Sequence, residues 1–306
     1  MGSALGFRTL CDNPLHHNIQ WERLHMTAQL IDGKALARSM EAKLAERIRA
    51  LPRKPVLAVL LVGEDPASRV YVRNKVLACE RTGIESRSVH LPETATEEDV
   101  IRQVRAWNED PTVDGILVQL PLPRNINAER VIETVALEKD VDGFHVGSAG
   151  ALMTGREGFR PCTPSGVMEM LESIGYELRG KHALVIGRSN IVGKPMAMML
   201  LEKDATVTVA HSRTPNTKEL ALAADVIVAA AGRADLVTAD MVKPGAVVID
   251  VGMNRRPDGR LCGDVADDVR DTAGWLTPVP GGVGPMTIAM LLVNTVRSAE
   301  MRLLAK

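Results

Sequence analysis

At 306 residues, with 45% hydrophobic and 25% charged side chains, the chain is long enough for two domains with sizeable cores. Its net charge of −1 excludes the strong positive field that holds nucleic acid or acidic membrane surfaces, and no apolar run is long enough to cross a bilayer. The four cysteines (Cys11, Cys79, Cys162, Cys262) are scattered without a CxxC pair, so neither a zinc site nor a disulfide framework is expected and a reducing, cytoplasmic setting fits.

Residues 1–25 are irregular, contain the pair His16–His17 and lack the apolar stretch of a signal peptide. They are expected to form an extension outside the fold. Leu36, Met40, Leu44 and Ile48 then recur every four residues, which predicts an amphipathic helix ended by Pro52. Pro55–Gly63 is a continuous apolar run, suited to a strand buried on both faces of a parallel sheet. Pro66–Gly83 reads as a helix, Glu85–Leu91 as a strand, Thr96 as a helix cap with Asp99 three residues on, Gly115–Leu120 as a strand and Asn127–Val135 as a helix. This βαβα rhythm gives an α/β domain with a mostly parallel sheet.

A change of composition follows Asp142. Phe144–Pro164 is rich in Gly, Pro and small residues without clear period, and is read as the crossing to a second domain. Beyond it, helices are expected at Thr163–Ile174, Lys194–Leu201 and Asn216–Ala223. Strands are expected at Ala183–Gly187, Ala205–Ala210, Val226–Ala229, Ala246–Val251 and Trp275–Pro278. Such spacing suggests a Rossmann-like dinucleotide-binding sheet. Met286–Leu304 is a long helical pattern that could return to the first domain. The expected division is residues 26–145 with 286–306 for one domain and residues 146–285 for the other.

Several segments could carry chemistry. Gly187-Arg-Ser-Asn-Ile-Val-Gly-Lys-Pro195 joins a strand to a helix, where glycine allows close approach and free amides attract phosphate. Its spacing is not G-x-G-x-x-G, and an ordinary turn has the same look. His211-Ser212-Arg213 follows the next strand, where NAD enzymes often carry a carboxylate that reads the ribose. The absence of one, and the presence of Arg213, favours NADP, although a solvated polar turn reads the same way. Tyr71 and Lys75 share a helical face at i, i+4; in an enclosed pocket such a lysine can transfer protons, while on a solvated face the pair means nothing. Gln119 ends a buried strand before a proline-stiffened turn, the end of a parallel sheet where ligands gather. Lys139-Asp-Val-Asp-Gly-Phe144 is a turn, or a turn with one carboxylate facing a ligand. Pro278–Thr287 is a stiff Gly/Pro loop, either a connector or a backbone surface open to a ligand.

Taken together and in order, Tyr71-x-x-x-Lys75, Val118–Pro123 (VQLPLP), Lys139–Phe144 (KDVDGF), Pro161–Pro164 (PCTP), Gly187–Pro195 (GRSNIVGKP), Asp250–Arg255 (DVGMNR) and Pro278–Thr287 (PVPGGVGPMT) resemble the bifunctional methylenetetrahydrofolate dehydrogenase/cyclohydrolase family. The resemblance runs from about Leu30 to the C-terminus. It implies a cytoplasmic homodimer of two-domain subunits acting on tetrahydrofolate derivatives with NADP, and neither a metal nor a nucleic-acid or membrane partner. By the same resemblance Lys75 is the catalytic lysine, Gln119 tunes it, Tyr71 lies against the folate rings and Asp142 holds the pterin. Leu120, Pro280 and Gly281 would line the folate site. Gly187, Arg188, Ser189, His211, Ser212, Arg213 and Met253 would contact NADP. One departure is Leu77, where some members of the family carry a second lysine. A dehydrogenase lacking the hydrolytic activity and a non-catalytic folate- or nucleotide-binding homologue are the competing readings.

Overall fold

Helices of the first half begin on residues able to satisfy their free N-terminal amides. A computed structural model describes residues 27–304; the expected extension, residues 1–25, lies outside them. After the short strand β1 (Gln29–Leu30), helix α1 (Gly33–Arg49) starts at Asp32, whose carboxylate accepts from Ala35 N at 2.9 Å. Strand β2 (Val56–Val62) leads to α2 (Pro66–Thr82), capped by Asp65 and closed by Gly83 at φ 89°. Strand β3 (Glu85–Leu91) leads to α3 (Glu97–Glu109), where Thr96 and Asp99 form the reciprocal capping box that their spacing predicts. Strand β4 (Gly115–Val118) and α4 (Ala128–Thr134) complete this part.

Strand β2 pairs in parallel with β3 and β4, and all seven of its residues are buried. One face of this sheet packs on Val100, Val104 and Trp107 of α3. The other packs on α1, α2 and a long C-terminal helix.

The segment read as an irregular crossing contains a helix, α5 (Val146–Met153). Its period is hidden because Gly147, Ser148, Ala149 and Gly150 carry almost no hydropathy signal. Tertiary support replaces propensity: His145 Nδ1 accepts from Gly147 N at 2.9 Å, Ser148 Oγ donates to Asp140 at 2.6 Å, and a side chain at 147 would press on Leu137. Next come α6 (Cys162–Ser173), β5 (His182–Ile186), α7 (Gly193–Leu201), β6 (Thr206–Ala210), α8 (Thr217–Ala223), β7 (Val226–Ala229) and β8 (Val247–Asp250). A hairpin of β9 (Asn254–Arg255) and β10 (Leu261–Cys262), β11 (Trp275–Leu276) and α9 (Val283–Leu304) end the described chain.

The second sheet is parallel throughout, in the order β1-β11-β8-β7-β5-β6. Residues 29–30, expected with the first domain, thus add an edge strand to the second sheet; two residues are too few to show a strand period. Helix α9 joins the two cores. Val283, Met286 and Ala289 pack beneath the second sheet, whereas Met290, Leu291, Leu292 and Val296 pack with Leu57, Val59 and Leu117 of the first. Leu292 and Val296 are fully buried, each contributing about 2 kcal/mol of apolar burial.

Candidate active site

A cleft of about 1380 Å³ lies between the carboxyl ends of the two sheets. Helix α2 turns Tyr71 and Lys75 toward it from one face, as their spacing predicts, and Lys75 is only 6% exposed. That burial decides between the two readings of the pair: this is no solvated helix face. Gln119, just past the end of β4, is fixed by its backbone N–H to Leu60 O at 2.9 Å. Its side-chain NH₂ donates to Leu120 O at 2.7 Å, which turns its oxygen toward Lys75; Lys75 Nζ donates to that oxygen at 3.0 Å. Burial holds the Lys75 ammonium below the ordinary lysine range, opposed by the negative charge of Asp142.

The two aspartates of the KDVDGF segment divide their work. Lys139, 2% exposed, donates to Trp107 O, Asn108 O and Asp110 O, each at 2.8 Å, around the end of α3. Asp140 accepts from Phe144 N at 3.2 Å, His145 N at 3.0 Å and Ser148 Oγ at 2.6 Å. With the loop tied at both points, Asp142 is the carboxylate left to line the cleft. Burial pushes it up to about 6, against the pull of Lys75.

Leu120, Pro280 and Gly281 line the same cleft, and both Leu120–Pro121 and Val279–Pro280 are cis. From the opposite wall Met253 reaches across, its Sδ accepting from Tyr71 Oη at 3.1 Å.

The remaining candidates lie beside the cleft, at the ends of β5 and β6. Gly187 has φ 132°, and a Cβ there would sit 2.2 Å from Ala230 O; a Cβ on Gly193 would sit 2.3 Å from Gly187 O. The two glycines therefore bring the β5 and β7 ends and the start of α7 close enough for backbone amides to meet a pyrophosphate. Arg188 and Ser189 follow in this turn, and Ser189 Oγ accepts from Val192 N at 3.2 Å and Gly193 N at 3.3 Å. Ile191 and Val192 of the same loop reach the cleft. After β6, His211 Nδ1 accepts from Arg213 N at 3.2 Å, so the imidazole is occupied in shaping the turn. Ser212 and Arg213 are exposed, and Arg213 forms no ion pair among the described residues. Thus Lys75, Tyr71, Gln119, Leu120, Asp142, Pro280, Gly281 and Met253 share one cleft, while Gly187, Arg188, Ser189, His211, Ser212 and Arg213 do not line it. A crevice that only glycine permits, next to an unpaired guanidinium and with no carboxylate in the turn after β6, fits a phosphorylated dinucleotide.

Sequence reasoning missed a buried carboxylate pair. Asp250 is 4% and Asp264 0% exposed, and a Cβ on Gly263 would lie 1.7 Å from Asp250 Oδ2. The usable signal was the pairing of Asp-Val-Gly252 with Gly263-Asp-Val, glycines set against the carboxylates of distant aspartates. Burial pushes Asp250 up to about 7. Asp142 and Asp250 therefore hold protons more tightly when folded than when unfolded. Their contribution is whole below about pH 3.9 and is lost as pH rises through about 6 and about 7. Lys75, lowered by burial, has the opposite slope, so in a Lys75→Met background differential scanning calorimetry should show the melting temperature falling by several degrees between about pH 5 and about pH 8, on the order of 2 kcal/mol. A flat or rising profile would contradict this assignment.

Among the described residues no cluster of metal-ligating side chains occurs, and no helix is long and apolar enough to cross a membrane. Residues 31–142 match the model of the tetrahydrofolate dehydrogenase/cyclohydrolase catalytic domain, and residues 161–303 that of the NAD(P)-binding domain of the same family. The Bifunctional protein FolD of Polaromonas sp. (strain JS666 / ATCC BAA-500) is 64% identical over 279 residues, 90% of this chain and 99% of that protein. The crystal structure of bifunctional FolD methylenetetrahydrofolate dehydrogenase/cyclohydrolase from Campylobacter jejuni superposes with a TM-score of 0.88 at 48% identity, covering 90% of this chain and 99% of that one. The Trypanosoma brucei methylenetetrahydrofolate dehydrogenase-cyclohydrolase complexed with NADP and an inhibitor gives a TM-score of 0.87 at 40% identity, covering 90% and 98%.

Proposed function

Because the chain belongs to the tetrahydrofolate dehydrogenase/cyclohydrolase family, we infer that the Lys75–Gln119–Asp142 cleft serves both of that family's reactions. The chain is a bifunctional enzyme: it oxidises 5,10-methylenetetrahydrofolate to 5,10-methenyltetrahydrofolate with NADP and hydrolyses the product to 10-formyltetrahydrofolate. The observation that carries the site assignment is the buried Lys75 amine held by Gln119 on the wall that also presents Asp142.

NADP, when bound, would supply the hydride acceptor for the methylene carbon. The protein's part in that step is positioning. Tyr71 lies along the folate rings, and Asp142, ionised above about pH 6, accepts from the amino and ring N–H groups of the pterin. Leu120, Pro280 and Gly281 close the apolar walls. Hydride loss leaves a cationic methenyl bridge, and water adds to its carbon. Lys75 in its amine form takes a proton from that water and passes one to the ring nitrogen as the carbon–nitrogen bond breaks, with one proton released overall. The depressed pKa favours the amine form, and the Gln119 oxygen keeps the nitrogen aimed at the bridge.

On the cofactor side Gly187, Arg188 and Ser189 would hold the pyrophosphate, Met253 would border the crevice, and His211 shapes the turn from which Ser212 and Arg213 would bind the 2′-phosphate. Residues 31–145 with 286–304 form the folate domain, and residues 146–285 with β1 the NADP domain. The working unit is a cytoplasmic homodimer with no nucleic-acid or membrane partner; sedimentation at micromolar concentration tests the dimer.

Initial rates with NADP and NAD test the cofactor assignment. Arg213→Asp should weaken NADP by roughly 10- to 100-fold, as expected for a charge-assisted phosphate contact, and leave NAD nearly unchanged. Equal losses for both cofactors would remove Arg213 from the 2′-phosphate.

A further inference from the structure

We propose that Asp264 and Asn254 are positioning residues for the NADP-dependent step: with Asp250 they clamp the turns after β7 and β8 into the wall of the cofactor crevice. The proposal rests on the NADP reading above.

The turn after β7, residues 230–233, runs beside Gly187, where Ala230 O leaves no room for a side chain. Ala231, Gly232 and Arg233 are exposed, yet their amides all point inward to one fully buried carboxylate. Asp264 Oδ2 accepts from Ala231 N at 2.6 Å and Gly232 N at 2.9 Å; Oδ1 accepts from Arg233 N at 2.8 Å and Asn254 Nδ2 at 2.9 Å. Asn254 also donates to Gly263 O at 3.1 Å. Asp250 accepts from Gly252 N at 2.9 Å, Asp264 N at 2.8 Å and Val265 N at 3.0 Å. One network therefore ties the exposed β7 turn to the β8 turn that carries Met253.

Water could satisfy the amides of an exposed turn at no expense. Holding them on a buried carboxylate pays desolvation for a fixed backbone position. Lys75 and Gln119, on the other wall, make no hydrogen bond to this network. Loosening the clamp should therefore separate the two activities.

The test uses the full-length protein. NADP affinity is measured by calorimetry, methenyltetrahydrofolate hydrolysis without NADP, and hydrogen exchange at the 231–233 amides. Asp264→Asn should weaken NADP binding by roughly 10- to 100-fold, and Asn254→Ala by roughly 3- to 10-fold. In both, the turn amides should exchange faster and hydrolysis should stay within about twofold of the parent. Should Asp264→Asn fail to fold, Asn254→Ala decides, because it leaves the carboxylate its three backbone partners. Unchanged NADP affinity in Asn254→Ala, or hydrolysis falling by the same factor as affinity, overturns the clamp. A parent protein that does not bind NADP overturns the cofactor reading itself; a parent that binds it while Asn254→Ala binds equally well overturns the clamp alone.

Discussion

Lys75→Met should lower methenyl hydrolysis by about 10³-fold, to near the rate in buffer, while NADPH production continues. Methionine is close to lysine in length and suits a pocket bordered by Cys79 and Cys162, so the fold should persist. Removing the amine also removes the burial penalty on its charge, so the melting temperature should not fall. What is lost is the amine, held by Gln119, that carries a proton between water and the leaving nitrogen. A second consequence is electrostatic. The Lys75 charge draws the Asp142 pKa down, so without it Asp142 should titrate above about 6 and the KM for folate should begin to rise at a higher pH. Near-normal hydrolysis by a folded Lys75→Met protein would remove Lys75 from the mechanism.

The second large effect is expected at the other wall. Gly187→Ala places a methyl 2.2 Å from Ala230 O at a φ of 132° that L-residues rarely adopt. Both obstacles are backbone, so no rotamer change relieves them; the β5 turn must move away from β7 at about 2–3 kcal/mol. NADP binding should fall by at least about 30-fold, because the phosphate cradle is the part displaced. Hydrolysis of added methenyltetrahydrofolate should survive, since Lys75 rests on α2 and Gln119 and Asp142 on loops of the first domain. Calorimetric NADP titration beside a hydrolysis assay checks this, and full NADP affinity would show that the Gly187 turn is not the cradle.

Much of this is legible in the sequence alone. Every residue of the run Val56–Val62 is buried in the middle of its sheet, and Thr96 with Asp99 forms the box that their spacing predicts. These signals are local: a period, a cap, a length. The Tyr71–Lys75 pair was different, because i, i+4 spacing is the same on a wet face and in a cleft; only burial separates them. Lys139 would pass for an ordinary surface lysine, yet it is 2% exposed because three carbonyls at the end of α3 converge on it. Helix α5 was hidden by small residues, and β1 by being two residues long. The Asp250–Asp264 pair was out of reach for a further reason: its partners are backbone amides of segments up to 33 positions away, and backbone amides leave no mark in a sequence.

The most direct test of one cleft serving both reactions is a two-wavelength assay, with NADPH and the methenyl chromophore followed together after methylenetetrahydrofolate and NADP are mixed with the enzyme. The expected result is steady NADPH formation with little methenyl build-up, and hydrolysis of added methenyltetrahydrofolate well above the rate in buffer. NADPH accompanied by stoichiometric, persistent methenyl would contradict it and leave a dehydrogenase alone.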